Sequence, residues 1–178
     1  VFPSSEIYGG FGGFWDYGPM GVELKNNIKK TWWHDFVDTR EDMYGLDSAI
    51  ILNPKVWEAS GHTGPGFADP LKECKICHHR FRGDDLKENK CPDCKGELTE
   101  EKKFNILVKT FIGPIEDKST QSYLRGETAQ GMFVNFKNII DSFHPKLPFG
   151  LAQIGKAFRN EIAPSDFLFR SREFEQME

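Results

Sequence analysis

The chain is 178 residues long, 38% hydrophobic and 28% charged, a balance that fits a folded globular protein and excludes wholesale disorder. Its length suits one ordinary domain, or one domain carrying a small insert; no apolar run approaches the roughly 20 residues of a membrane helix. The 23 Lys and Arg against 27 Asp and Glu leave a net charge of −4, which excludes a general polyanion binder and makes any nucleic-acid contact local.

Residues 1–20 are rich in glycine and aromatics, with Gly9-Gly10-Phe11-Gly12-Gly13 followed by Trp15-Asp16-Tyr17-Gly18-Pro19. The run lacks the strand-to-helix context of a phosphate-cradling loop, so a loop packed closely under aromatic side chains is expected. Val22 to Val37 reads as an amphipathic helix, with Ile28, Trp32, Trp33, Phe36 and Val37 at helical spacing. Ala49 to Leu52 reads as a short strand stopped by Asn53-Pro54. After a cysteine-bearing stretch at 72–103, Phe104 to Ile112 resumes as a strand. Glu127 to Phe143 reads as a second helix whose stripe of Met132, Phe133, Phe136, Ile139, Ile140 and Phe143 is expected in the core. Sixteen phenylalanines fit a well-packed interior. Residues 150–162 and 167–178 read as two strands joined by a loop containing Ala163-Pro164-Ser165-Asp166. Helices and antiparallel strands without regular βαβ alternation predict an α+β fold. The chain opens at Val1 with no signal-peptide pattern, and Arg172 to Glu178 reads as mid-strand, so a fragment is expected.

All four cysteines fall in two C-x-x-C pairs, Cys74–Cys77 and Cys91–Cys94, separated by 13 residues. Each pair sets two thiolates on one side of a tight turn, and two such knuckles complete a tetrahedron around Zn²⁺. Gly96 fits the turn after the second pair. The alternatives are two disulfides or four reduced thiols; disulfides are disfavoured without a secretion signal. His78 and His79 are expected to face solvent. With nine Lys and Arg against eight Asp and Glu over residues 72–103, a metal-stapled insert is better supported than a nucleic-acid reader.

Period-two alternation sorts the last two strands onto two faces. Ile154, Phe158 and Ile162 share one face; Gln153, Ala157, Arg159 and Glu161 lie opposite. Arg170, Arg172, Phe174, Gln176 and Glu178 share one parity in the second strand. If Arg159 and Arg172 face the same way, one surface gathers guanidiniums, carboxylates, an aromatic ring and amides. Cross-strand Arg–Glu pairs on a solvated face are the ordinary alternative. Guanidiniums with an interleaved Phe suit a nucleotide, because the forks grip phosphate and the ring stacks on the base.

Phe158-Arg159-Asn160-Glu161, a loop, then Arg172-Glu173-Phe174 resembles motif 2 of the class II aminoacyl-tRNA synthetases. Within that class, Leu124-Arg125-Gly126-Glu127-Thr128-Ala129-Gln130-Gly131, Leu147-Pro148-Phe149-Gly150, Gln153-Ile154-Gly155-Lys156 and Arg172 to Glu178 are similar to the homodimeric glycyl-tRNA synthetase family. Trp15-Asp16-Tyr17-Gly18-Pro19 fits it as well, and Asp47 to His62, including Pro54, sits where motif 1 belongs. Gly126 stands where the family usually carries Pro. Motif 3, with its ATP-binding Arg, and the C-terminal anticodon-binding domain have no counterpart in this sequence.

The resemblance implies part of the class II antiparallel sheet flanked by helices, with a zinc-ribbon insertion. Residues 1–71 would hold the motif 1 region, 72–103 the ribbon and 104–178 the catalytic continuation with motif 2. It further implies ATP-dependent activation of glycine and transfer to the 3′ end of tRNA(Gly), in a cytoplasmic homodimer paired through motif 1. Arg159 and Glu161 would act in catalysis. Arg159, Asn160, Glu161, Phe169, Arg170, Arg172 and Phe174 would bind ATP, with Mg²⁺ neutralising the triphosphate. Glu127, Glu178, Gln176 and Arg82 would contact glycine, and Cys74, Cys77, Cys91 and Cys94 would hold structural Zn²⁺. Little or no turnover is implied for these 178 residues alone. Two other readings stay open: a non-catalytic zinc-ribbon interaction module of synthetase origin, and an adenylate-forming relative that does not act on tRNA.

Overall fold

The computed structural model describes residues 1–164 and 167–178; Ser165 and Asp166 of the expected connecting loop lie outside the described residues. In chain order the elements are β1 (Phe2–Pro3), β2 (Trp15–Asp16), α1 (Pro19–Trp33), β3 (Met43–Gly45), α2 (Pro54–Ala59), β4 (Ala68–Glu73) and β5 (Arg80–Arg82). There follow β6 (Lys102–Asn105), β7 (Val108–Phe111), β8 (Gln121–Leu124), α3 (Ala129–Phe143), β9 (Gly150–Ala152), β10 (Ile154–Phe158) and β11 (Glu173–Met177). The result is a mixed α/β arrangement of small sheets and few helices.

The described strands form five separate small sheets: β1–β2, β3–β9, β5–β4–β6, β7–β8 and β10–β11. All are antiparallel except β3–β9, where Met43 to Gly45 run parallel to Gly150 to Ala152. The expected long strands are therefore broken. Residues 104–112 divide after Asn105, whose Oδ1 accepts the Leu107 N–H at 2.8 Å and turns the chain. Residues 150–162 divide at Gln153, where β9 leaves β3 and β10 joins β11. Single backbone bonds stitch the ladders together: Arg125 N–H to the Ile50 carbonyl at 3.1 Å, and Phe158 N–H to the Arg125 carbonyl at 2.8 Å.

Asn53-Pro54, expected to stop a strand, starts a helix instead. Asn53 Oδ1 caps the Lys55 N–H at 3.0 Å and Pro54 occupies the first helical turn, where its missing N–H costs nothing. Ala49 to Leu52 forms no strand; Ile51 makes an isolated bridge to Leu124. Helix α1 starts three residues earlier than expected, at Pro19, and ends in a π-helical turn over His34–Asp38.

The interior is small. Val37, Trp57, Leu107, Ala152 and Ala157 are buried, but none of the sixteen phenylalanines is. The α3 stripe expected in the core is largely open: Phe133 is 78% exposed and Phe143 68%. Periodicity marks which face of a helix is apolar; it does not supply an element to cover that face. Phe136 and Phe149 do stack, with centroids 5.1 Å apart, and tie α3 to the chain entering β9.

On one side of the β10–β11 ribbon, Lys25 and Lys29 of α1 clamp Glu175 at 2.9 and 2.6 Å. That leaves the other side to the functional residues.

Candidate functional site

Register decides which side chains meet. β10 and β11 pair from Ile154↔Met177 to Phe158↔Glu173. The ladder runs one position further at each end: Arg159 N–H donates to the Arg172 carbonyl at 2.9 Å, and Gln153 and Glu178 exchange two bonds of 2.9 and 3.0 Å. Residues opposite one another share a face. Gln153, Gly155, Ala157 and Arg159 therefore share one side with Glu178, Gln176, Phe174 and Arg172, as the parity argument required.

Over that side lies the turn from β8 into α3, residues 125–128. Gln176 Oε1 accepts the Thr128 N–H at 3.2 Å, so the strand satisfies a donor at the helix start. Thr128 Oγ1 donates to Glu178 Oε2. Glu127 Oε1 accepts from Gln130 Nε2 at 2.6 Å, and Glu127 Oε2 faces Arg159 Nη2 at 3.9 Å. The Arg159 Nε–H reaches the Gly126 carbonyl at 3.1 Å, and its guanidinium stands 5.4 Å from the Phe174 ring centroid. Glu127, Arg159, Phe174, Gln176 and Glu178 are thus brought together by two short segments distant in sequence.

The other expected residues lie elsewhere. The Glu161 carboxylate faces Arg170 Nε at 3.4 Å, while its carbonyl accepts Nε and Nη2 of Arg172 at 3.2 and 2.9 Å. Arg172 Nη1 donates to the Gly12 carbonyl at 2.9 Å, and the Gly13 carbonyl accepts the Arg172 N–H at 2.7 Å. The glycine loop therefore wraps Arg172. Gly13, at φ +81°, would place a Cβ 3.1 Å from Arg172 Cγ and Pro164, so a bare backbone is needed there. Asn160, Glu161 and Arg172 line a cleft of about 370 Å³ with Arg80 and Lys102. Phe169 is 93% exposed. Arg82 is engaged by Asp84 at 2.9 Å and Asp69 at 3.3 Å, and no described contact joins it to Glu127. The Arg82 hydrogen bond holds Asp84 below the ordinary carboxylate range.

The four cysteine thiols converge, with Sγ atoms all within 4.8 Å of one another: Cys74 to Cys94 is 3.4 Å and Cys77 to Cys91 is 3.6 Å. None is in a disulfide. The N–H groups of Cys77 and Ile76 point at Cys74 Sγ and draw its pKa down to about 6, against the opposing effect of burial. Such spacing, with a thiol ready to ionise, fits a tetrahedral thiolate metal. The left-handed residue of each knuckle is the one after its second cysteine, His78 (φ 58°) and Lys95 (φ 62°), not Gly96. Gly96 lies close to the cluster, where a Cβ would stand 3.2 Å from Cys74 Sγ. His78 and His79 have side chains 75% and 65% exposed, as expected.

Four polar residues at the site escaped the sequence reading: Thr128, described above, and Arg125, Gln130 and His62. Arg125 is 2% exposed and donates to the carbonyls of Lys156 at 2.6 Å and Ser48 at 2.8 Å; burial lowers its pKa. Gln130 holds Glu127, and buried His62 lies beside it. Their signal was available only as membership of the Leu124-to-Gly131 run and of the Asp47-to-His62 segment.

No protein-family model matches the chain. Relatives match it along its whole length: a glycine–tRNA ligase of Treponema denticola at 57% identity, one of Thermobifida fusca at 54% and one of Alkaliphilus oremlandii at 51%. The chain spans only 40%, 42% and 45% of these relatives. Among solved structures, the RNA binding domain of threonyl-tRNA synthetase from Cryptosporidium parvum Iowa II superposes with a TM-score of 0.58 at 19% identity, covering 92% of this chain and 30% of that one. That likeness concerns the fold. Along its entire length the chain is similar, at 51–57% identity, to a segment of the glycine–tRNA ligases.

Proposed function

We propose that this chain carries the glycine-activating part of a glycine–tRNA ligase, with residues on the open side of the β10–β11 ribbon as its substrate surface. The observation that supports this reading is the convergence of Glu127, Arg159, Phe174, Gln176 and Glu178. In the reaction, a glycine carboxylate oxygen attacks the α-phosphorus of ATP and the bond to the β-phosphate breaks. Pyrophosphate leaves; a ribose hydroxyl at the 3′ end of tRNA(Gly) then attacks the glycyl carbonyl and AMP departs.

In this reading Arg159 holds the α-phosphate and the glycine carboxylate, stabilising charge that grows in the transition state. Phe174 offers a face for adenine, and Glu161, with Asn160, an acceptor for its amino group. Arg170 meets the outer phosphates in this reading, with Arg172 clamping the glycine loop. Mg²⁺ supplies charge neutralisation when the nucleotide is bound. Glycine has no side chain to grip, so selection comes from excluding larger ones while Glu127 and Glu178 read the ammonium. Zn²⁺ on Cys74, Cys77, Cys91 and Cys94 holds a ribbon whose sheet runs from Ala68 to Asn105 around a core of little more than these cysteines and Leu98. The class II antiparallel sheet, pairing through the motif 1 region and action in the cytoplasm complete the reading; among the described residues no helix is long and apolar enough to cross a membrane.

Glycine-dependent ATP–pyrophosphate exchange by the full-length ligase carrying this segment tests the proposal. Arg159→Ala is expected to lower exchange by about 10²–10³-fold. Near-normal exchange in that variant defeats the role given to Arg159.

A further inference from the structure

This inference rests on the reading just given, that Glu127 meets the substrate ammonium, and concerns what holds Glu127 in place. His62 ends the turn after α2, with its N–H bonded to the Trp57 carbonyl at 2.9 Å. Its carbonyl accepts from Asn105 Nδ2, at the end of β6, at 2.8 Å. The ring packs against Trp57 and Phe67, at centroid distances of 5.3 and 4.1 Å, and the residue is 6% exposed. Nδ1 lies 2.8 Å from Ser60 Oγ. Nε2 is enclosed and makes no hydrogen bond, although Glu127 Oε1 stands 3.3 Å away.

A buried ring nitrogen without a partner is costly, and the neighbouring carboxylate decides which proton arrangement is tolerable. A proton on Nδ1 alone would aim the Nε2 lone pair at the lone pairs of Glu127. The reverse tautomer lets Ser60 Oγ–H, which also lies 3.4 Å from the Trp57 carbonyl, donate to Nδ1 and turns Nε2–H toward the Glu127 carboxylate. Oε1 then has one hydrogen bond, from Gln130 Nε2 at 2.6 Å, and an imidazole N–H close by, its nitrogen 3.3 Å away. The Gln130 bond and the imidazole N–H beside the same oxygen favour one carboxyl orientation, with Oε2 turned toward Arg159 and the substrate side.

The geometry points to His62 as a positioning residue for amino-acid binding: held by Ser60, it orients the Glu127 carboxylate and has no contact with the nucleotide-facing Phe174. Because its backbone is tied to Asn105, the same residue also joins the cysteine-bearing sheet to the amino-acid side of the site.

The test uses glycine-dependent exchange by the full-length ligase, with KM for glycine and for ATP measured separately and melting temperature recorded. His62→Phe fills the ring space without a donor; His62→Gln restores an amide N–H near the Nε2 position. His62→Phe is expected to raise the glycine KM about tenfold or more, with the ATP KM within about twofold. His62→Gln should recover most of the loss. Equal losses in both variants, parallel shifts of both KM values, or no change in the glycine KM overturn the inference. Should His62→Phe fail to fold, Ser60→Ala takes its place. It frees the ring to change tautomer and should raise the glycine KM alone; an unchanged glycine KM counts against the proposal. Glu127→Gln separates the two levels. If it leaves the glycine KM unchanged, the reading of the site fails; if it raises that KM and the His62 and Ser60 variants do not, only the present inference fails.

Discussion

Arg159 and Arg172 stand opposite one another on the β10–β11 ribbon, joined by an N–H to carbonyl bond of 2.9 Å, yet their guanidiniums do different things. Arg159 spends one donor on the Gly126 carbonyl and turns toward Glu127 and Phe174. Arg172 donates from all three nitrogens to the carbonyls of Glu161 and Gly12. Arg172→Ala should therefore loosen the glycine loop, with faster amide exchange over residues 9–14 and a stability loss of about 1–3 kcal/mol. Unchanged exchange in that loop would show that Arg172 is not its clamp.

The cysteine cluster predicts a stoichiometry. Purified protein should carry about one zinc per chain, and chelation should raise amide exchange throughout residues 68–105, because the segment has almost no core of its own. Elemental analysis with hydrogen exchange checks both points. Metal-free protein with unchanged protection would remove the ribbon's dependence on a metal.

Glu175 predicts a pH dependence. Burial raises its pKa, but hydrogen bonds from Lys29 and Lys25 outweigh this and hold the carboxyl below its ordinary value. A depressed folded-state pKa contributes stability that is fully present above the unfolded value of about 4.3 and fades as pH falls through the folded one. Glu175→Gln should thus melt lower than the parent at pH 7, and the difference should vanish in acid. A gap that persists at pH about 2 would contradict the anchoring of α1 by charge.

Gly155 predicts a steric effect free of backbone strain, since its φ is not positive. A Cβ there would fall 2.2 Å from Arg125 Nη2, and Arg125 is fixed by Lys156 and Ser48 carbonyls. Gly155→Ala should cost about 1–3 kcal/mol in chemical denaturation. A neutral result would mean that Arg125 can move aside.

What could be read without coordinates was what depends on local spacing. Two C-x-x-C pairs bring four thiols together because each knuckle is a short turn. Parity alone put Arg159 on one side of its strand, and Phe174, Gln176 and Glu178 on one side of theirs, while setting Glu175 apart, because successive strand side chains alternate. The α3 pattern located the helix to within two residues at its start. Tertiary structure decided the rest. Strand lengths depended on where Asn105 and Gln153 break the chain, and Asn53 became a helix cap because its side chain reached Lys55 N. Whether the phenylalanines of α3 are covered depends on which elements pack there, which no period records. Above all, the meeting of His62 and Gln130 with Glu127, and of Thr128 with Glu178, joins residues up to 65 positions apart. Side-chain chemistry is written along the chain, but distances between remote segments exist only once the backbone has folded.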